Sequence, residues 1–388
     1  MVRTGFDIIS EELPRELKGK AVAVLCHAPS INHRFQHIID FLALHNQIII
    51  RAIFGPQHGL FGETQDNMIE WEGYRHPEYN IPVYSLYGKI RKPKPEMLNN
   101  IDAFVVDLQD IGARPYTYIW TMKHCMEVCG DLGIPVWILD RPNPVSNLGT
   151  EGPLLKRNFF TFVGEAEIPM CHNMTIGEIA LWINTYESSG CDLNIVWMRG
   201  WERGMAFDQT GLNWVPPSPN MPGLNTAMVY PGTVMTETLN LSEARGTTTP
   251  FELFGAPTLN NAILLKELNS RPLPGCIFRL HDYIPTFHKY ESEYCKGIFI
   301  HVTDRNIFKP VYTAINIYDA IMETTPGYLT FNKPPYEYEN TLIPFDILAG
   351  NSSIRKVLED RGNIVTEQEK WFDEIESFKS DFKQISYY

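Results

Sequence analysis

Apolar and polar positions divide the first half of the chain into short, regular pieces. Residues 21–26 (AVAVLC), 48–53 (IIIRAI), 81–86 (IPVYSL), 103–108 (AFVVDL), 135–139 (PVWIL) and 193–198 (LNIVWM) are nearly continuous apolar runs rather than alternating ones. Runs of this kind suit strands covered on both faces, as in a parallel sheet. Between them the apolar positions fall at helical spacing. Residues 7–19 are amphipathic. Residues 34–45 place Phe35, Ile38, Ile39, Phe41, Leu42 and Leu44 on a helical repeat. Residues 95–99 start a short helix, residues 116–130 predict a helix closed by glycine, and residues 175–184 open on a capping box of Thr175 and Glu178. Strands alternating with helices predict an α/β, Rossmann-like parallel sheet.

After Trp201 the pattern changes. Residues 214–235 (WVPPSPNMPGLNTAMVYPGTVM) are rich in proline and predict extended, loop-like chain. The boundary is placed near Val229, giving a Rossmann-like catalytic domain over 1–228 and a smaller α+β domain over 229–388 that completes the cleft. The second domain is expected to hold helices over 260–269, 312–324 and 368–382 and strands over 277–280 and 297–302.

The polar residues gather where the strands end, and the carboxyl edge is where open α/β sheets bind ligands. The loop 54–66, FGPQHGLFGETQD, offers Gln57, His58, Glu63 and Asp66. A second cluster holds Asp107, Gln109, Asp110, Arg114 and Tyr116. A third, DRPNP, holds Asp140, Arg141 and Asn143 in a loop stiffened by two prolines. A fourth, in residues 236–248, holds Glu237, Asn240, Glu243 and Arg245, and Asn220 lies in the preceding SPNMP segment. Carboxyl groups just past strand ends can work as acid and base, bind a sugar or hold a metal. They can also cap the next helix. Among the histidines, His58 is the candidate for chemistry, while His124, His172 and His301 fall in packed elements.

Composition removes several classes. The 388 residues carry a net charge of −13, with no basic groove to displace counterions from nucleic acid. The first strand-to-helix loop, residues 26–32, contains no glycine, and no GxxxxGK[ST] occurs, so no nucleotide site is expected. Seven cysteines include no CxxC pair. A divalent-metal site on His58, Asp66, Asp107 and Asp110 matches no ligand spacing, and no metal or other cofactor is expected. No apolar run reaches the length of a membrane span. The N-terminal residues show no signal-peptide pattern, which suits the cytoplasm, or the periplasm or exterior if a leader has been removed.

Five motifs, GPQHG at 55–59, DLQDIGARPYTY at 107–118, DRPNP at 140–144, PSPNMP at 217–222 and YPGTVMTETLNLSEARGTTTPFELFGAP at 230–257, together resemble the NamZ/YbbC-like family of exo-β-N-acetylmuramidases. The resemblance runs from about Val22 to the FDILAG segment at 345–350. It implies a Rossmann-like catalytic domain, a smaller second domain, and removal of N-acetylmuramic acid from the non-reducing end of peptidoglycan fragments, with a muropeptide or amino sugar as partner. Such chemistry needs a carboxylic acid and usually a second carboxylate. It also implies an arginine for the anionic lactyl group, from Arg114, Arg141 or Arg245. Family members commonly carry glutamate where this chain has Gln57, and an amide cannot transfer a proton as a carboxyl does. Glu63 or Asp66 is then expected to supply the acid, with Asp107, Asp110, Glu237 or Glu243 as its partner and His58 assisting. The alternative is a muropeptide-binding homologue that has lost its acid.

Overall fold

The computed structural model describes residues 1–66, 68–187 and 189–388. Among these, the strands in chain order are β1 (Ala21–Cys26), β2 (Ile49–Gly55), β3 (Tyr74–Arg75), β4 (Pro82–Ser85), β5 (Ala103–Asp107), β6 (Val136–Leu139), β7 (Glu151–Leu154), β8 (Pro169–Cys171), β9 (Leu193–Val196), β10 (Leu253–Ala256), β11 (Cys276–Leu280) and β12 (Lys296–Val302). The helices are α1 (Gly5–Glu11), α2 (Ile38–Leu44), α3 (Tyr118–Leu132), α4 (Ile176–Tyr186), α5 (Leu224–Thr233), α6 (Asn261–Leu268), α7 (Pro310–Thr324), α8 (Pro344–Ala349), α9 (Ser353–Glu359) and α10 (Ile364–Ile385).

The main sheet runs β3-β4-β2-β1-β5-β6-β9, and every pairing is parallel except that of the edge strand β3 with β4. It separates two apolar layers. From β1, Ala23 and Leu25 enter one layer, while Val22, Val24 and Cys26 enter the other. On β5, Phe104 and Val106 oppose Ala103 and Val105 in the same way. This two-sided burial is why the strands read as continuous apolar runs. The register between β1 and β2 slips between Val22 and Ala23, leaving exposed Arg51 as an extra residue. Helices α1 and α2 cover one layer, and α3 and α4 the other. The second layer continues without a break into the C-terminal half, through α5, α7 and the antiparallel sheet β10-β12-β11. The architecture is thus α/β with a mostly parallel central sheet, as expected.

Three local differences appear, and two of them have a physical reason in the packing. The proline-rich segment contains a helix, α5, because residues 226–233 are all buried, packing against α7. Tertiary burial there outweighs Pro231, which lies in the last turn. At Gly232 an added Cβ would sit 2.0 Å from the Pro310 carbonyl oxygen, so glycine permits the close approach of α5 to the start of α7. Helix α2 starts at Ile38 rather than Arg34: His37 caps it, while Phe35 is exposed at φ 58°. The β7–β8 hairpin has no counterpart in the expected element list.

Candidate active site

The parallel order brings the ends of β1, β2, β5 and β6 to one edge. At its centre, Asp107 and Arg141 form a bidentate buried pair, with Nε to Oδ1 at 2.5 Å and Nη2 to Oδ2 at 2.8 Å. Nη2 also donates to the Ile31 carbonyl. Gln109 donates from its side chain to the carbonyls of Asp110 and Pro142, and its N–H donates to His27 Nε2 at 2.8 Å. Asp140 accepts from Gly177 N–H, Thr175 Oγ1 and Tyr388 Oη, fixing the start of α4. Burial raises the Asp140 carboxyl to about 7. Asn143 ties the Met174 carbonyl to the Val145 N–H. Asp110 accepts from Gly112 N–H and faces His172 Nε2 at 3.2 Å. Arg114 is buried and gives its donors to the carbonyls of Pro153, Ile168 and Leu348. The side chains of Asp107, Gln109, Asp110, Arg114, Asp140, Arg141 and Asn143 therefore hold the edge together and do not line the pocket described next.

That pocket lies beside the edge, where the loop after β2 meets the start of α3 and the C-terminal half. It is a narrow cleft open to solvent, and its wall includes Gln57, His58, Tyr116, Thr117, Asn220, Tyr230, Glu237, Arg245, Tyr336 and Glu337. A second hollow borders Arg141 and Asp7. Asp7 accepts hydrogen bonds from His33 and Thr4, Arg141 is paired with Asp107, and the hollow gathers no pair of carboxyls suited to proton transfer.

The β2 loop turns sharply into the wall through left-handed His58 (φ 72°) and Gly59 (φ 91°). A Cβ on Gly59 would meet the Glu63 carboxylate at 2.3 Å. His58 Nδ1 donates to the Thr64 carbonyl at 2.8 Å. Desolvation, with Arg245 adding to it, lowers the imidazole to about 4, so the ring is neutral and Nε2 is an acceptor. Gln57 Oε1 accepts from Thr117 Oγ1 at 2.7 Å, which turns its amide NH₂ towards Glu337, to which it is hydrogen-bonded.

The opposite wall comes from the C-terminal half. Glu237 Oε1 accepts from Arg245 Nη2 at 2.6 Å, and its Oε2 accepts from Tyr336 Oη at 2.9 Å. Arg245 also lies 3.8 Å from Glu243 and over the Phe251 ring at 5.0 Å. Glu243 itself is turned away towards Lys289 and His288, each 3.2 Å distant, and against its burial the Lys289 charge, with the His288 contact and the Arg245 charge, holds it well below the ordinary carboxylate range. Glu337 is 3% exposed at φ 43° and accepts from Tyr87 Oη at 2.9 Å. Desolvation is the largest influence on its carboxyl and, with the Glu237 charge, raises it to about 7 against the bonds from Tyr87 and Gln57.

Of the sequence candidates, Gln57, His58, Tyr116, Asn220, Glu237 and Arg245 come together in this wall. Glu63 does not: it is exposed, and its Oε2 accepts from Phe61 N–H at 2.9 Å. Asp66 is half-buried and 3.9 Å from His288, outside the wall. Asn240 ties the Tyr328 carbonyl to the Thr330 N–H. His58, Asp66, Asp107 and Asp110 are not gathered, and among the described residues no group of three or more His, Cys, Asp or Glu is placed to hold a metal ion. Among those residues, also, no helix is long and apolar enough to cross a membrane. Sequence reasoning passed over Glu337, Tyr336 and Tyr230. The available signal was the run PPYEYEN at 334–340, alternating aromatic and acidic residues after a double proline.

A mostly parallel α/β scaffold with a small pocket walled by carboxyls, tyrosines and one buried guanidinium defines a small-ligand enzyme of the sugar-hydrolase kind. The comparisons with known proteins agree. Residues 22–225 match the family described as exo-beta-N-acetylmuramidase NamZ, N-terminal, and residues 228–388 match its C-terminal counterpart. The chain belongs to the NamZ family. It is 40% identical over 384 residues to the peptidoglycan beta-N-acetylmuramidase NamZ of Bacillus subtilis, covering 98% of this chain and 91% of that protein. Two crystal structures of DUF1343 family proteins from Bacteroides fragilis share the fold. One has a TM-score of 0.90 at 31% identity, the other 0.77 at 25%, and each alignment covers 100% of this chain and 99% of the other.

Proposed function

We propose that the protein is an exo-acting β-N-acetylmuramidase that releases N-acetylmuramic acid from the non-reducing end of peptidoglycan fragments. The observation that carries this is the convergence of family motifs on one pocket that holds two carboxyl groups in unlike surroundings. Glu237 is bonded to a guanidinium and a phenol, whereas Glu337 is buried among neutral donors. Carboxyl pairs whose environments differ in this way divide acid and base work between them. Three arginines are candidates for the anionic lactyl group, and of them Arg245 reaches the pocket wall, while Arg114 and Arg141 are engaged elsewhere. The tyrosines supply ring faces and hydroxyls for a sugar.

The test is release of chromophore from a p-nitrophenyl β-N-acetylmuramide, with the matching N-acetylglucosaminide as control. Turnover of the muramide alone is expected. Turnover of neither, with calorimetric binding of a muropeptide, would make the protein a binding homologue instead.

A further inference from the structure

Resting on the muramidase reading, we propose that Glu337 is the acid that protonates the leaving glycosidic oxygen, with Gln57 and Tyr87 as its positioning residues. The pocket itself narrows the choice. His58 gives its Nδ1 proton to the Thr64 carbonyl and is held neutral by burial, so it has no second proton to donate near neutral pH. Burial pushes the phenols of Tyr116, Tyr118, Tyr230 and Tyr336 up, which makes them weaker acids than a free tyrosine. Glu237 has both oxygens occupied, by Arg245 and Tyr336. Glu63 lies outside the wall.

Glu337 has the opposite setting. It is buried, and it is fixed from the N-terminal half by Tyr87 Oη and the Gln57 amide. Gln57 is itself fixed by Thr117, so the carboxyl is held in place from two elements. The charged and titratable groups facing it are Tyr87, Glu237 and Arg245, with Tyr230, Tyr336 and Tyr338 close by. Its burial keeps the proton on the carboxyl up to about pH 7, where a carboxylic acid is still a competent donor.

In the step, the bond from the anomeric carbon to the glycosidic oxygen breaks, and its electron pair stays on that oxygen, which takes the Glu337 proton. Water supplies the hydroxyl that bonds to the anomeric carbon. The remaining proton of that water returns to the carboxyl pair, so the enzyme ends with the protons it started with. The Glu237 carboxylate, beside it on the same C-terminal wall and bonded to the neighbouring Tyr336, is the second member of that pair.

The test compares two substrates on one preparation of Glu337→Gln. One is N-acetylmuramic acid β-linked to N-acetylglucosamine, whose leaving oxygen needs a proton. The other is a dinitrophenyl muramide, whose leaving oxygen does not. The expected loss on the disaccharide is on the order of 10²–10⁴-fold, the usual contribution of a general acid. The expected loss on the aryl substrate is far smaller, and the alkaline fall in kcat/KM expected near pH 7 for wild-type disaccharide hydrolysis should vanish in the variant. Because the readout is a ratio on one sample, partial misfolding of the variant does not affect it. Glu337→Asp, which keeps a carboxyl, should retain the alkaline fall at a reduced rate. Equal losses on both substrates, or an alkaline fall that persists in Glu337→Gln, would overturn the assignment. If wild type cleaves neither substrate, it is the muramidase reading that fails.

Discussion

Replacing Glu337 by glutamine should make the protein more stable at alkaline pH, whatever it does to activity. The carboxyl is raised from 4.5 to about 7 in the folded chain, chiefly by desolvation. The sign follows from linkage: between the two values the folded state binds the extra proton, so stability falls as pH rises from about 4.5 towards 7. Above that range the full shift is felt, which at 1.36 kcal/mol per unit has a ceiling of roughly 3 kcal/mol. Between about pH 5 and pH 8 the change is about 2.5 kcal/mol. Glutamine has no proton to lose and keeps the shape of the side chain, so the variant should escape this penalty. Unfolding entropy of about 2.1 cal/mol/K per residue over 388 residues makes 1 kcal/mol worth a little over 1 °C. The difference in Tm between Glu337→Gln and wild type should therefore grow by about 3 °C in the variant's favour from pH 5 to pH 8. Thermal unfolding followed by circular dichroism across that range measures it. A difference in Tm that does not change with pH would refute the reasoning, since it would mean that Glu337 titrates alike in the folded and unfolded chains.

Other outcomes follow from the same geometry. Asp107→Asn leaves buried Arg141 without its partner and should cost about 3–5 kcal/mol in denaturant unfolding; an unchanged KM in the folded protein separates this structural part from substrate binding. Glu63→Gln should leave kcat/KM on the aryl muramide within about twofold, because surface changes away from buried features are mild; a large loss would place that loop's acid in the mechanism. In Gln57→Glu, a hydrogen-bond donor to ionised Glu337 is exchanged for a like charge, so the alkaline limb of the pH–rate profile should move up by about one unit or more. A limb left in place would show that position 57 does not touch the proton donor.

Much of the architecture was legible in the chain because it depends on local pattern. Strands buried on both faces must be apolar throughout, so β1, β2, β5 and β6 stand out, and with parallel order their polar ends must share an edge. The gathering of family motifs was legible too, and it put Gln57, His58, Tyr116, Asn220, Glu237 and Arg245 among the candidates. The work of each charged group was not legible, because a charge is defined by its partner, and the partners lie far away in sequence. Asp107 meets Arg141 across 34 residues, and Arg114 reaches Leu348 across 234. These contacts turn conspicuous polar residues into internal ties. The contact between Tyr87 and Glu337 spans 250 residues and does the reverse. It takes an acid from an unremarked loop and buries it in the pocket wall. Desolvation, which no residue carries in its own sequence position, is what raises that acid within the pocket wall.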